Sequence, residues 1–367
     1  MIVDSKKLTL LVNKIFLAIG CYSDEATTIT DHLIKANLMG HDSHGVGMIP
    51  IYVKNFHANI LFPNITPDLT KDDPSIMVFN GKRGFGQSVA KIAMQQAIKR
   101  CKKTGVVLMG VNGSGHMGRI GSYGEQSTNA GLISMHFVNV TDTSPSVAPY
   151  GGRSARFGTN PICIAMPRED ILNPIILDFA TSKVAVGKIR VAINKKENLP
   201  DGWVIDHSGE PSNNPRVMEQ HLYPNEPCDV REGAVLPMGD YKGFGLSLFC
   251  EILGGLMSGG NTIHPNNERL GGVINNMMSI IINPESLVEN PSLYKELEEL
   301  ITYVKSSPST KNNENGKILL PGELERQREK TRRKNGIDID DQTFDSILIA
   351  GESLLIKRSE MLSLVEI

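Results

Sequence analysis

An apolar, strand-forming run over 106–111 ends directly in Gly113-Ser-Gly-His-Met-Gly118, and no other segment restricts the fold of this chain as much. β-Branched and large apolar residues favour an extended strand, and glycine is the residue that permits the sharp turns such a strand would need at its end. The three glycines match the G-x-G-x-x-G dinucleotide fingerprint. Asp142 stands where that motif places its ribose-binding acid, at the end of a second apolar run. Against this stands His116, a group that titrates near neutrality, at the position that would face the pyrophosphate. A backbone cradle for phosphate needs no imidazole, whereas proton transfer does. The segment is either a nucleotide loop with an incidental histidine or a catalytic loop that is rich in glycine.

Strand and helix signals alternate around it. Leu8, Leu11, Val12, Ile15, Phe16 and Ile19 have helical spacing. A second helix starts near Ser23 and stops at Gly40, and a third carries Met48, Ile49, Tyr52, Val53 and Phe56. Strands are expected at 75–79, 106–111, 132–140, 162–166, 174–178 and 278–283, with a helix at 87–102. The 184–194 segment fits either state, and 195–227 reads as a long irregular excursion. The 243–258 segment is apolar nearly all round and predicts a buried helix. A polar surface loop is expected at 306–317 and a charged exposed helix at 322–335, with helix again at the end. This is an α/β pattern whose strands are too unevenly spaced to fix a regular βαβ succession.

Composition excludes several classes. A formal net charge of −2 gives no basis for binding nucleic acid or an anionic membrane. Five cysteines without C-x-x-C spacing point to reduced thiols in a cytoplasmic protein, not to disulfides or zinc. The apolar stretch before Cys21 faintly suggests a lipoprotein signal, but Asn13 and Lys14 interrupt it and the helical periodicity explains it better. No apolar run approaches the ~20 residues that span a bilayer.

Four segments could carry chemistry. His41-Asp42-Ser43-His44 could cap the following helix, serve catalysis, or supply metal ligands. His116 is either reactive or a histidine tucked into a turn. Asp178 ends an apolar strand, where α/β sheets commonly place ligand-binding groups, or only ties down the next turn. Lys242 opposes the dipole of the helix it begins, so an anion such as a cofactor phosphate would account for it; a solvated loop lysine is the alternative.

Taken together, these segments resemble the malate/L-lactate dehydrogenase-like family, which has a non-Rossmann nucleotide fold. The matching stretches are Ala36-Asn-Leu-Met-Gly-His-Asp-Ser-His-Gly45, Gly115-His-Met-Gly118, Phe157-Gly-Thr-Asn-Pro161, Asp178-Phe-Ala-Thr-Ser182, Lys242-Gly-Phe-Gly-Leu246 and Leu320-Pro-Gly-Glu323. Gly40 to Pro50, Arg119-Ile-Gly121 and Ile280 to Glu285 look closest to its bacterial hydroxycarboxylate dehydrogenase branch. The resemblance implies a mixed-sheet α/β fold with a helical N-terminal domain. Residues 1–70 would belong to a domain that C-terminal segments complete, 71–260 would form the cofactor and substrate core, and 261–367 would pack back on both. It implies NAD, with NADP possible, a small 2-oxo or 2-hydroxy acid substrate, and a homodimer.

It further implies that His116 is the acid/base, with His44 and Ser43 beside the nicotinamide. His44, Gly118, Arg119, Ile120, Asp178, Phe179, Ala180, Lys242, Asn275, Pro321, Gly322 and Glu323 would contact the cofactor, and Tyr52 the substrate. Where several members carry an arginine able to pair with a substrate carboxylate, this chain has Met48. Arg119, Arg153 and Arg156 are then the nearest candidates for that pairing, and an apolar Met48 would suit a bulkier substrate. Reduction of a cyclic imine carboxylate and oxidation of a ureido-hydroxy acid are the enzymatic alternatives. A metal-dependent hydrolase using His41, Asp42, His44 and His116 is the alternative of another class, and a nucleotide-binding module without turnover is a third.

Overall fold

The glycine-rich run is the end of a strand in a seven-stranded sheet. The structure is a computed structural model and describes residues 1–221, 230–288, 290–310 and 316–365. The sheet comprises β1 (Asp68–Asp73), β2 (Ile76–Asn80), β3 (Val106–Gly115), β4 (Ile133–Thr141), β5 (Pro161–Met166), β6 (Ile175–Ala180) and β7 (Ile274–Ile282), in the spatial order β1-β2-β3-β7-β4-β5-β6. Only β2 and β3 pair in parallel, and every other neighbouring pair is antiparallel. A doubly wound nucleotide fold needs a parallel sheet, so the Rossmann reading of the glycine run fails on topology. The expected strand at 278–283 in fact runs from Ile274 to Ile282 and lies between β3 and β4.

Alternation sets which face is buried. Val107, Met109 and Val111 are buried, whereas Val106 and Leu108 are exposed. Helix α4 (Gly86–Thr104) covers the buried face with Val89, Ala90, Ala93, Met94 and Ala97, a stripe at helical spacing. Helix α5 (Gly121–Thr128) packs beside it through Tyr123.

A second core is helical. Helices α1 (Ser5–Ile19), α2 (Ser23–Leu38) and α3 (Ile49–His57) share one apolar cluster with α10 (Asp341–Ser353) and α11 (Arg358–Val365). Leu8, Leu11, Val12, Ile15, Phe16 and Ile19 are all buried there, as their spacing predicted. Helix α9 (Glu323–Asn335) has no buried residue, and α8 (Asn290–Lys305) precedes it in the chain. The ambiguous 184–194 segment is helix α6 (Val186–Lys195). Short strand pairs and a 3-10 turn occupy 204–221, and 222–227 falls outside the described residues. So do 311–315 of the expected surface loop, and Cys228. The other four cysteines are free thiols.

The expected buried helix at 243–258 is different in kind. It is α7 (Tyr241–Cys250), followed by a π-helical turn at Glu251–Gly255 and a 3-10 turn at Leu256–Ser258. Gly243, Ser247, Cys250, Glu251 and Ser258 face inward, while Leu248, Phe249, Ile252, Leu256 and Met257 are exposed; Phe249 is 55% accessible and Met257 63%. An all-round apolar pattern arises here because the outward face is apolar as well.

Candidate active site

The first glycine of the run makes a bulge. Asn275 pairs with Ser114 but Met277 with Val111, so two residues of β3, Asn112 and Gly113, oppose Asn276 alone. Gly113 accordingly has φ +59, and its N–H donates to Asn276 Oδ1 at 2.8 Å. Asn276 Nδ2 donates in turn to Asn139 Oδ1 at 2.9 Å, and Asn139 Nδ2 to the buried carboxylate of Glu251 at 3.1 Å. Gly118 is required for a different reason: it has φ +70, and a Cβ there would collide with His32 Nε2. The same Nε2 accepts the Arg119 N–H at 2.9 Å. The loop between these glycines is therefore held by side chains, and His116 projects from it.

His116 meets groups from three other elements. Tyr52 of α3 places its hydroxyl 2.7 Å from His116 Nδ1. Gln87, in the first turn of α4, donates from Nε2 to that hydroxyl at 2.8 Å. His44 stacks on the His116 ring, with centroids 5.4 Å apart and planes 18° apart, and its Nδ1 lies 2.9 Å from Ser43 Oγ. Burial, and then the neighbouring His44, pull the His116 pKa down to about 3; burial and Arg119 pull His44 to about 4. Both rings are neutral at pH 7. Burial pushes the Tyr52 phenol up, so it stays protonated. Among the described residues, no side chain hydrogen-bonds His116 Nε2.

Sequence reasoning brought His116, His44, Ser43 and Tyr52 together, and in the structure they touch in turn: Tyr52 to His116, His116 to His44, and His44 to Ser43. It missed Gln87, His32, Asn139, Asn276 and Glu251. Only Gln87 gave a local sign, as a polar residue following Gly86, whose absent side chain leaves room for the backbone carbonyl of His116.

The structure bears on five of these expectations. The metal reading of 41–44 needs a free Asp42, but Arg332 holds both its carboxylate oxygens, at 2.6 and 3.0 Å, and Asn37 donates to it at 2.7 Å. Among the described residues, no group of three or more His, Cys, Asp or Glu side chains is arranged to hold a metal. Arg119 is not available to clamp a substrate carboxylate: its side chain is 3% exposed, ion-paired with Glu125 at 2.8 Å and held near Asp178. Met48 packs into the helical cluster and so offers no open wall for a bulky substrate. Asn275 is a strut, accepting the Met117 N–H at 2.8 Å and donating to the Asn139 carbonyl at 3.0 Å. Asp142, the former ribose candidate, ion-pairs with Arg83 at 2.9 Å.

The remaining candidates form a second cluster along β6. Asp178 accepts the Gly121 N–H at 2.7 Å, and burial pushes its carboxyl up to about 6. The Pro321 carbonyl accepts from Ile176 N at 3.2 Å, which lays the Pro321-Gly322-Glu323 turn against the same strand. Glu323 closes that turn by accepting from Leu320 N at 2.8 Å. Met238 N donates to the Thr181 carbonyl at 3.0 Å, which brings the start of α7 alongside. Lys242 is exposed there, and among the described residues no carboxylate pairs with it. Phe179 and Ala180 lie between these segments.

This fold is that of a dehydrogenase family. The chain belongs to the malate/L-lactate dehydrogenase family, whose model matches residues 3–348. It is 39% identical to hydroxycarboxylate dehydrogenase B of Escherichia coli strain K12 over 96% of this chain and 94% of that protein. A solved structure from E. coli matches with a TM-score of 0.92 and 37% identity, covering 99% of this chain and 98% of that one. Sulfolactate dehydrogenase from Methanocaldococcus jannaschii matches with a TM-score of 0.81 and 29% identity, covering 98% and 99%. No described helix is long and apolar enough to cross a membrane.

Proposed function

We propose that the protein is a cytoplasmic, nicotinamide-dependent oxidoreductase that interconverts 2-hydroxy and 2-oxo carboxylates, with His116 as the acid/base. The observation that carries this reading is the neutral His116 ring, fixed at Nδ1 by Tyr52 with Nε2 left without a protein partner. A proton-exchanging group at a substrate oxygen needs that arrangement. The β6 cluster fits a dinucleotide: an exposed ammonium without a carboxylate partner among the described residues suits a pyrophosphate, and Asp178, Phe179, Ala180, Gly118, Ile120 and the 321–323 turn would hold the rest. Bound there, a nicotinamide supplies or takes up the hydride. In the oxidative direction His116 Nε2 accepts the substrate hydroxyl proton, and in the reductive direction it returns it. His44 excludes water from one face of His116 and, being neutral, adds no opposing charge.

The test is oxidation of NADH and of NADPH with a panel containing pyruvate, oxaloacetate, sulfopyruvate and phenylpyruvate. Turnover on at least one with kcat near 1–10³ s⁻¹ is expected. No turnover on any defeats the reading.

The exposed apolar face of α7 and the following turns, together with Val106, Leu108, Ile164 and Leu177, fits a second copy of the chain and supports a homodimer. The protein should therefore run at twice 40.1 kDa in light scattering, and Phe249→Glu with Leu256→Glu should shift it to 40.1 kDa. A wild-type monomer would contradict this.

A further inference from the structure

Gln87 lies in the first turn of α4, is 1% exposed, and hydrogen-bonds Tyr52 but not the His116 ring. Its Nε2 donates to Tyr52 Oη, while its Oε1 is buried with no hydrogen-bond partner. A buried primary amide with one end spent and the other idle carries a cost that packing alone does not explain.

The hydroxyl beside it has a single proton. Tyr52 Oη accepts from Gln87, and among the described residues the one acceptor in hydrogen-bond reach of its own proton is His116 Nδ1; with that proton given to Nδ1, the proton of the neutral ring sits on Nε2. In that tautomer His116 can donate a hydrogen bond to a substrate oxygen but cannot accept a proton there. To accept one, Nε2 needs its lone pair, so Nδ1 must carry the proton and donate to Tyr52 Oη. Tyr52 must then pass its own proton to an acceptor, and the idle Oε1 of Gln87 comes within reach by a half-turn of the amide. A glutamine offers donor and acceptor on one fork of nearly constant shape. A glutamate offers only acceptors when ionised, and a methionine offers no strong partner at all.

We propose that Gln87 is a positioning residue that sets, through Tyr52, which nitrogen of His116 carries the proton, and that its amide turns between the two tautomers. The inference deepens the acid/base reading of His116 and rests on it for its catalytic meaning. The proton count of the Gln87–Tyr52–His116 chain is the same in both states: the ring gives up its Nε2 proton to solvent and takes one up from solvent at Nδ1, while the two hydrogen bonds at Tyr52 Oη exchange donor for acceptor. The other titratable groups near His116 are His44 on its stacked face, His32 from α2 and Arg119 along the loop, with Tyr123 of α5 packed behind. None of these hydrogen-bonds His116 Nδ1, so the tautomer is set by Tyr52 and Gln87.

The test is the ring-nitrogen NMR spectrum of ¹⁵N-histidine protein without cofactor, for wild type, Gln87→Glu and Gln87→Met. Wild type should show His116 protonated at Nε2. Gln87→Glu should move the proton to Nδ1 or give the doubly protonated ring, and the same tautomer in both proteins overturns the proposal. Kinetics give a second, independent readout. Gln87→Glu should make oxidative kcat/KM at least 10-fold lower at pH 6 than at pH 8, with wild type changing less. Gln87→Met should lower kcat about 10-fold in both directions with the cofactor Kd unchanged, and should add nothing in a Tyr52→Phe background. Additive losses in that background, or a kcat within 3-fold of wild type for Gln87→Met, overturn it. Because the NMR readout needs no turnover, absence of dehydrogenase activity would defeat the proposed function without deciding the role of Gln87.

Discussion

His116→Ala is expected to lower kcat by about 10²–10⁴, equivalent to roughly 3–5 kcal/mol of transition-state stabilisation. The loss should fall on kcat and not on cofactor binding, because the β6 cluster that would hold the dinucleotide shares no hydrogen bond with the His116 ring. NADH fluorescence titration should therefore give a Kd within about 2-fold of wild type. Tyr52 loses its acceptor in this variant, which costs on the order of 1 kcal/mol of stability, too little to unfold a protein of ordinary stability. The reverse distribution, an intact kcat with a weakened Kd, would sink the assignment. The low pKa of the resting ring adds a direction. An imidazole pulled to about 3 enters catalysis as a base, so hydroxy-acid oxidation should stay nearly flat down to pH 6. An unperturbed imidazole, with pKa near ~6.5, would lose activity there.

The second large effect is on stability. His32, His41, His44, His116 and His136 all have folded pKa values lowered chiefly by burial, while the unfolded chain titrates near ~6.5. As pH falls through 6.5 the unfolded chain takes up protons that the native state refuses, so stability is full above about pH 7.5 and declines below it. At pH 6 each histidine contributes a loss of about 0.8 kcal/mol, giving roughly 4 kcal/mol as a ceiling for the five. Asp178 acts the other way. Its folded pKa is raised to about 6, so the native state takes up protons that the unfolded carboxylate does not, and this returns a few tenths of a kcal/mol at pH 6. Glu25 and Glu251 are raised in the same sense. Urea unfolding at pH 7.5 and at pH 6 measures the sum. Equal unfolding free energies would mean that the histidines are not held neutral.

Much of the fold could be read from local pattern, because local pattern is what shapes α1, β3 and α4. Their buried residues follow helical or alternating spacing without help from distant segments. The position of β7 could not be read that way. A strand at 274–282 enters between strands from 106–115 and 133–141, and nothing in its own residues shows which gap it fills. The outward face of α7 was misread because periodicity reports that a surface is apolar and not what covers it. In the site, His116 stood out through its glycines, yet the reason for Gly118 is His32, far away in sequence. Arg119 and Asp42 were open candidates until their partners, Glu125 and Arg332, were seen to neutralise them. Gln87 gave only the sign of its neighbour Gly86, because its partner is a hydroxyl from α3, distant in sequence.

The helical cluster joins the two ends of the chain. The Met1 ammonium donates to the Ile339 carbonyl at 2.7 Å, Ile2 and Val3 pair with Asp338 and Ile337, and α10 and α11 fill the apolar stripe of α1. During synthesis the sheet strands, 68–282, all leave the ribosome before the partners of the first helices exist. His116, just past the end of β3, is thus made, and its loop can be clamped by β7, while α1 to α3 still lack the part of their core that α10 and α11 supply. The cleft can close only when the last thirty or so residues arrive, so a nascent or C-terminally clipped chain would carry His116 with no completed site around it.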